Sequence, residues 1–167
     1  MSWAARAPKV VALLAGLGVL AGCGGSAAGD SGRSAAPTVT VQAGGEPITV
    51  RPTQYCLDGD GRRYERRAPV VTVSPDTPVS LTVPDAVAEA GWSVQVFDET
   101  LEQLIGEVDV PEGEATYREI STSDVAPPTF YLVVVEDADP ESCRGLAGAW
   151  PVGFIRAEGA APSSPAG

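Results

Sequence analysis

The sequence contains no histidine and no asparagine, and its single lysine is Lys9. Without histidine there is no Ser-His or Cys-His pair, no imidazole base and no blue-copper site. Lys9 lies in a segment that reads below as removed, so no Ser-Lys dyad or Schiff base remains. Aromatic residues make up 6% of the chain, and the three cysteines are Cys23, Cys56 and Cys143. These absences exclude the common hydrolase mechanisms and point to a non-enzymatic protein. With 22 acidic side chains, carboxylate-only chemistry on a glycan is the one catalytic alternative, and nothing selects a particular pair. No catalytic residue, cofactor or metal is assigned.

Long apolar runs are lacking too. The longest, Val10 to Ala21, follows Arg6 and Lys9, which is the layout of a secretory signal. As a helix it rises about 18 Å, short of a hydrocarbon core of about 30 Å, so no permanent membrane span is expected. The run ends in Leu20-Ala21-Gly22-Cys23, which resembles the lipobox of bacterial lipoproteins. In that class the chain is cut before the cysteine, whose thiol then carries diacylglycerol. Residues 1–22 therefore read as a lipoprotein signal peptide. Cys23 reads as the lipid anchor on the outer face of the cell membrane, a plain signal peptide with an incidental cysteine being the alternative. Each buried methylene contributes about 0.8 kcal/mol, so two or more acyl chains anchor stably.

Residues 23–37 hold nothing able to bury a face and read as a lipidated, flexible tether with a root-mean-square reach of about 20 Å. Residues 157–167, equally small and proline-rich, read as a disordered tail. Residues 38–156 are long enough for one domain with a real core. Once residues 1–22 are gone, nine arginines against 22 carboxylates leave a net charge of −13. That field disfavours nucleic acid and implies a soluble, monomeric domain.

Four of the nine arginines fall in Arg62-Arg63-Tyr64-Glu65-Arg66-Arg67. Arg62, Arg63, Arg66 and Arg67, with the stackable ring of Tyr64, form the candidate contact for an anionic lipid head or an acidic partner. The alternative is that they pair with surplus carboxylates or guard a strand edge. An exported chain with two cysteines left over pairs them, so Cys56 and Cys143 are expected to form a disulfide, two free thiols being the alternative. The separation of 87 residues corresponds to about 4–5 kcal/mol of stabilisation by chain entropy.

Alternation of period two dominates the domain. Thr38–Val41, Ile48–Val50, Val71–Val73, Val79–Val83 and Trp92–Val96 each place apolar residues on one face. Phe130–Val135 is apolar on both faces and reads as a central strand. Ala149–Phe154 alternates again, and Pro151 marks it as an edge or a bulge. Leu104–Val110 and Ala115–Ile120 complete the set, and Pro84–Ala90 alone has room for a helical turn. Eight or nine short strands predict an all-β, immunoglobulin-like β-sandwich, with a small β-barrel as the alternative.

Tyr55-Cys56-Leu57-Asp58 precedes a loop, followed by Val71–Val79, Leu81–Trp92 and a closing Gly148-Ala149-Trp150-Pro151-Val152. With the lipobox, this succession resembles a family of uncharacterised actinobacterial secreted lipoproteins, a domain of unknown function covering nearly the whole chain. In that family a second cysteine often falls in the loop after the first. Leu57–Pro69 has none here, which leaves Cys143 as the partner. The resemblance implies localisation and fold, and brings no activity or catalytic residues.

Asp58-Gly59-Asp60-Gly61 has alternating carboxylates like part of a calcium loop, but lacks the distal bidentate Glu and reads better as a tight turn. Glu136–Glu141 reads as a solvated acidic loop. Trp92 and Trp150, in register with valines, read as core anchors. Asp30-Ser31-Gly32 matches an aspartic-protease tripeptide, but the tether offers no geometry to hold it. The leading functional expectation is an interaction module for another protein of the cell envelope. The alternative, small-ligand or lipid binding, requires an apolar cavity of several hundred Å3 inside the fold.

Overall fold

Alternating β-branched segments become strands where one face can be buried. A computed structural model describes residues 35–137 and 141–157. Residues 1–22, read as a signal peptide, Cys23, expected to carry the lipid, the expected tether up to Ser34 with Asp30-Ser31-Gly32, positions 138–140 and the expected tail from 158 onward lie outside the described residues. Eleven strands form, in the order β1 (Val39–Ala43), β2 (Ile48–Val50), β3 (Gln54–Leu57), β4 (Asp60–Arg63), β5 (Val70–Val73) and β6 (Pro78–Thr82). A short helix, α1 (Asp85–Ala90), follows. Then come β7 (Trp92–Phe97), β8 (Leu104–Val110), β9 (Thr116–Ser121), β10 (Thr129–Glu136), a tight turn over Ser142–Gly145, and β11 (Ala149–Arg156).

The strands form two sheets and no closed barrel. The smaller runs β2-β1-β6-β9; the larger runs β4-β3-β11-β10-β7-β8, with β5 also beside β11. Every pairing is antiparallel except β5 with β11. The order β1-β6-β9 against β11-β10-β7-β8 is the ABE against GFCC′ arrangement of an immunoglobulin-type sandwich. The disulfide is placed differently from that of antibody domains. Cys56 on β3 bonds Cys143 in the turn before β11, with their Cα atoms 5.7 Å apart, as the cysteine count predicts.

Side chains from both sheets fill the space between them. Val39, Val41, Val50, Val79, Leu81 and Ile120 come from the smaller sheet. They meet Val94, Phe130, Leu132, Val134, Val152 and Phe154 of the larger. Phe130 and Phe154 are cross-strand partners, their rings stacked at 5.3 Å. Trp92 and Trp150 are essentially fully buried, as their register with valines predicts. The Trp92 indole N–H donates to the Glu114 carbonyl at 2.7 Å, and that of Trp150 to the Pro37 carbonyl at 2.9 Å. Fully burying a large apolar side chain contributes about 1.5–3 kcal/mol, so these aromatics carry much of the core.

Two features depart from the sequence reading. The segment after Cys56 is predicted as a loop but forms the β3–β4 hairpin, which raises the strand count above eight or nine. β4 is Asp-Gly-Arg-Arg, with no apolar alternation to reveal it. Its turn is nonetheless explicit, because Asp58 and Gly59 both take positive φ (53° and 77°), as a type I′ hairpin requires. The second is Pro151, which is neither on a sheet edge nor in a bulge. Ala149 accepts from Thr53 N–H and Gly153 donates to Pro69, so the odd-numbered residues of β11 turn their backbone groups away from β10. β3 pairs only at Ala149, and β5 begins at Gly153. The missing donor of Pro151 therefore falls in the break between two neighbours, where no strand needs it.

Candidate functional site on the outer face of the larger sheet

Because side chains alternate along a strand, the core-facing residues of β10, Phe130, Leu132 and Val134, force Tyr131, Val133 and Val135 onto the opposite face. Gln95 and Phe97 of β7 stand beside them, and Ala149 and Pro151 of β11 continue the surface. Together with Val70 and Leu101 they line an open groove of about 640 Å3, flanked by Arg66 and Arg67. Val70 and Leu101 are 52% and 41% exposed, unusually open for such side chains. Phe130–Val135 is thus apolar on both faces for two different reasons. One face is core, and the other is the floor of a solvent-facing groove.

Local chemistry fixes one wall. Asp98 accepts hydrogen bonds from the Thr100 hydroxyl at 2.7 Å and from the Glu102 and Gln103 amides at 3.0 and 3.1 Å. The Thr100 contact first, then these amides, hold its carboxyl below the usual aspartate range. The loop so tied keeps Leu101 in a left-handed conformation, φ 61°, where it reaches the groove. Asp98 was not legible as a site residue. Its signal is the Asx pattern of an acid two residues before Thr100, a common turn device.

The arginine patch is contiguous in sequence but divided in space. Arg62 turns back to Asp60, Nε to Oδ2 at 3.2 Å, and this is the one salt bridge among the described residues. Arg63, its neighbour on β4, lines a separate polar recess of about 750 Å3 with Asp60, Glu141 and Arg144, beside the disulfide. Tyr64 carries the Arg66 guanidinium over its ring at 4.8 Å. Arg66 and Arg67 alone of the four arginines reach the apolar groove. Of the candidate contact Arg62, Arg63, Tyr64, Arg66 and Arg67, Arg63 thus lines one recess and Arg66 and Arg67 the other, and the two recesses share Gln54.

Asp58-Gly59 is the hairpin turn itself, and Asp60 is engaged by Arg62. Among the described residues no three Asp, Glu, His or Cys side chains converge as metal ligands. Buried side chains of both sheets pack against one another between them. A smaller recess of about 360 Å3 opens at one end, lined by Val41, Ile48, Val71 and Val73 among others.

Glu136, at the end of β10, is half-buried. Burial raises its pKa, partly offset by the Gly148 backbone N–H and reinforced by Asp137. Burial also raises the Tyr55 hydroxyl, with Glu136 as the second cause. A carboxyl whose pKa is raised on folding favours the folded state fully below its unfolded pKa and loses that contribution as pH rises through the folded value. Glu136→Gln should therefore stabilise the protein at pH 7, by less than about 1 kcal/mol because the group is only half-buried. Urea unfolding at pH 7 and at pH 4 should show the gain shrinking on acidification. A gain equal at both pH values would refute the assignment.

No curated protein and no solved structure matches the chain at a significant level. A family model does match, over residues 32–140, which takes in β1 to β10 and stops short of Cys143 and β11. The match spans about two thirds of the chain, less than the near-complete coverage expected from the resemblance. The chain belongs to the family described as "Protein of unknown function (DUF2771)".

Proposed function

We propose that this is a lipid-anchored, extracytoplasmic lipoprotein of the cell envelope, and that its sandwich is a non-enzymatic module that docks a protein partner. The observation that carries the reading is the groove on the outer sheet face. It is an apolar floor open to solvent, flanked by Arg66 and Arg67, neither of which has a carboxylate partner among the described residues. In a chain of net charge −11, two unpaired cations beside exposed Val70 and Leu101 form a surface suited to an apolar partner carrying negative charge. Leu20-Ala21-Gly22-Cys23 supports the anchor. Among the described residues no helix is long and apolar enough to cross a membrane. The lack of histidine, and of lysine beyond Lys9, supports a binding role over catalysis.

Two experiments test the parts separately. Cys23→Ser should move most of the protein from the membrane fraction to the soluble fraction. Unchanged partitioning would remove the anchor. With no lysine beyond Lys9, amine-reactive reagents have little to attack, so a photoreactive residue in place of Phe97 is the suitable crosslinker. Replacing Arg62, Arg63, Arg66 and Arg67 with serine should weaken the crosslinked capture in intact cells, and Arg66 and Arg67 should account for most of the loss. Capture indifferent to all four would remove the arginines from the reading.

A second reading, small-ligand or lipid binding, is favoured by one observation: the groove's volume lies within the range of ligand sites. On that reading the ligand lies along the outer face of the larger sheet. Mass spectrometry of the protein released from membranes would then find a bound amphiphile that Val133→Glu abolishes.

A further inference from the structure

We infer that the outer face of the larger sheet pairs with the same face of a second copy of this chain. The inference rests on the reading of that face as the docking surface, and names its partner.

The charge on this face is polarised. At the β5 side stand Arg66 and Arg67. At the opposite edge, β8 turns Glu107 and Asp109 to the same face, because they pair with Gln95 and Ser93 of β7. Glu107 is held there. Its Oε1 accepts from the Ser93 hydroxyl at 3.1 Å and from the Gln95 amide at 2.9 Å, and its other oxygen has no hydrogen-bond partner among the described residues. Asp109 is exposed and has no ion-pair partner among the described residues. Between the two ends lie Phe97, Tyr131 and Val133. Strands β5, β11, β10, β7 and β8 separate the cationic and anionic ends by about 20 Å at the usual strand spacing. That exceeds the screening length of about 8 Å in physiological salt, so the two ends do not neutralise each other within one copy.

A two-fold axis in the interface, parallel to the strands, solves both ends at once. It lays the apolar centre of one copy on that of the other, and brings Arg66 and Arg67 of each copy over Glu107 and Asp109 of its mate. Such an isologous contact is the commonest form of closed association. An acidic peptide would satisfy the arginines but face the carboxylates unpaired. An acyl chain would use the apolar floor and need no carboxylates. Of these three occupants, only a second copy accounts for all three zones. A pairing that is stable in dilute solution buries roughly 800 Å2 per partner. The pairing is strengthened where anchoring confines both copies to one membrane plane. Composition alone implies a monomeric domain because it does not show how the charges are arranged.

The test uses two differently tagged full-length copies, co-expressed and crosslinked in cells through a photoreactive residue replacing Phe97. Wild-type copies should capture each other, less so at high salt. Arg66→Glu with Arg67→Glu in both copies should lower capture at least about tenfold, as like charges then meet across the interface. Glu107→Arg with Asp109→Arg in both copies should do the same. One copy of each variant should restore capture, since both charge clusters become complementary again. Urea midpoints near wild type confirm that the variants are folded. Absence of wild-type self-capture, equal capture in all combinations, or failure of folded variants to rescue would each overturn the pairing. If self-capture fails while Val133→Glu still abolishes an adduct with a different protein, the docking-surface reading stands alone. If no adduct depends on Val133, both fall.

Discussion

Trp150→Ala should lower the free energy of unfolding by about 3–5 kcal/mol, the cost of emptying a large buried site that its surroundings only partly refill. Trp150 is fully buried on β11, with the Tyr55 ring tilted against it at 5.8 Å. The space around it is tight, since even a Cβ on Gly148 would come within 2.5 Å of the indole. Its N–H also ties Pro37, at the point where the chain enters the domain, to the strand that closes the sheet. Trp150→Phe keeps much of the apolar contact but strands the Pro37 carbonyl, and should cost about 1–3 kcal/mol. Urea unfolding followed by circular dichroism reads both. A loss below about 1 kcal/mol for the alanine variant would mean that Trp150 does not anchor the core.

Removing the disulfide should come next in size. Cys56→Ser with Cys143→Ser frees a loop of 87 residues, for which chain entropy gives about 4–5 kcal/mol. The measured loss should fall toward the lower end. Cys143, Arg144 and Gly145 are held in succession at positive φ, 47°, 60° and 72°. For the two non-glycine residues this costs about 1–2 kcal/mol each, and the variant can relax it. The unfolded chain without the crosslink exposes more surface, so the dependence on urea should steepen as stability falls. Reduction of the wild-type protein should reproduce the change. Loss of stability without that steepening would place the effect in the folded state.

The sandwich was legible because its strands alternate. β-branched residues at every second position leave little choice of face, and a one-residue slip would expose the whole core set. β3 and β4 were hidden for the opposite reason. Asp60 to Arg63 is polar on both faces, and only the Asp58-Gly59 turn marks the hairpin. Pro151 misled because a proline rule drawn from sequence knows nothing of neighbours; a break between β3 and β5 satisfies it inside a sheet. The arrangement of the arginines was not legible in the sequence, because successive residues on β4 point to opposite sides: Arg62 turns to Asp60, while Arg63, paired with Gln54, shares the face of the groove.

The groove was half visible. Tyr131, Val133 and Val135 are plainly apolar, but sequence pattern does not distinguish a face covered by other elements from one left open. Likewise, Glu107 and Asp109 alternate with Val108 and Val110, which shows that they share a face and not that Arg66 and Arg67 flank the far side of the same sheet. That juxtaposition is a product of sheet order, which joins residues about 40 positions apart. The acidic composition sets the background against which two cations without an ion-pair partner among the described residues become conspicuous.

Binding is expected at one face of the larger sheet and not across the smaller one. A photoreactive residue placed at Tyr131, on the groove floor, should give a defined adduct in intact cells, while the same residue at Thr49, exposed on the smaller sheet, should give none. Adducts of equal yield from both positions, or from Thr49 alone, would contradict it.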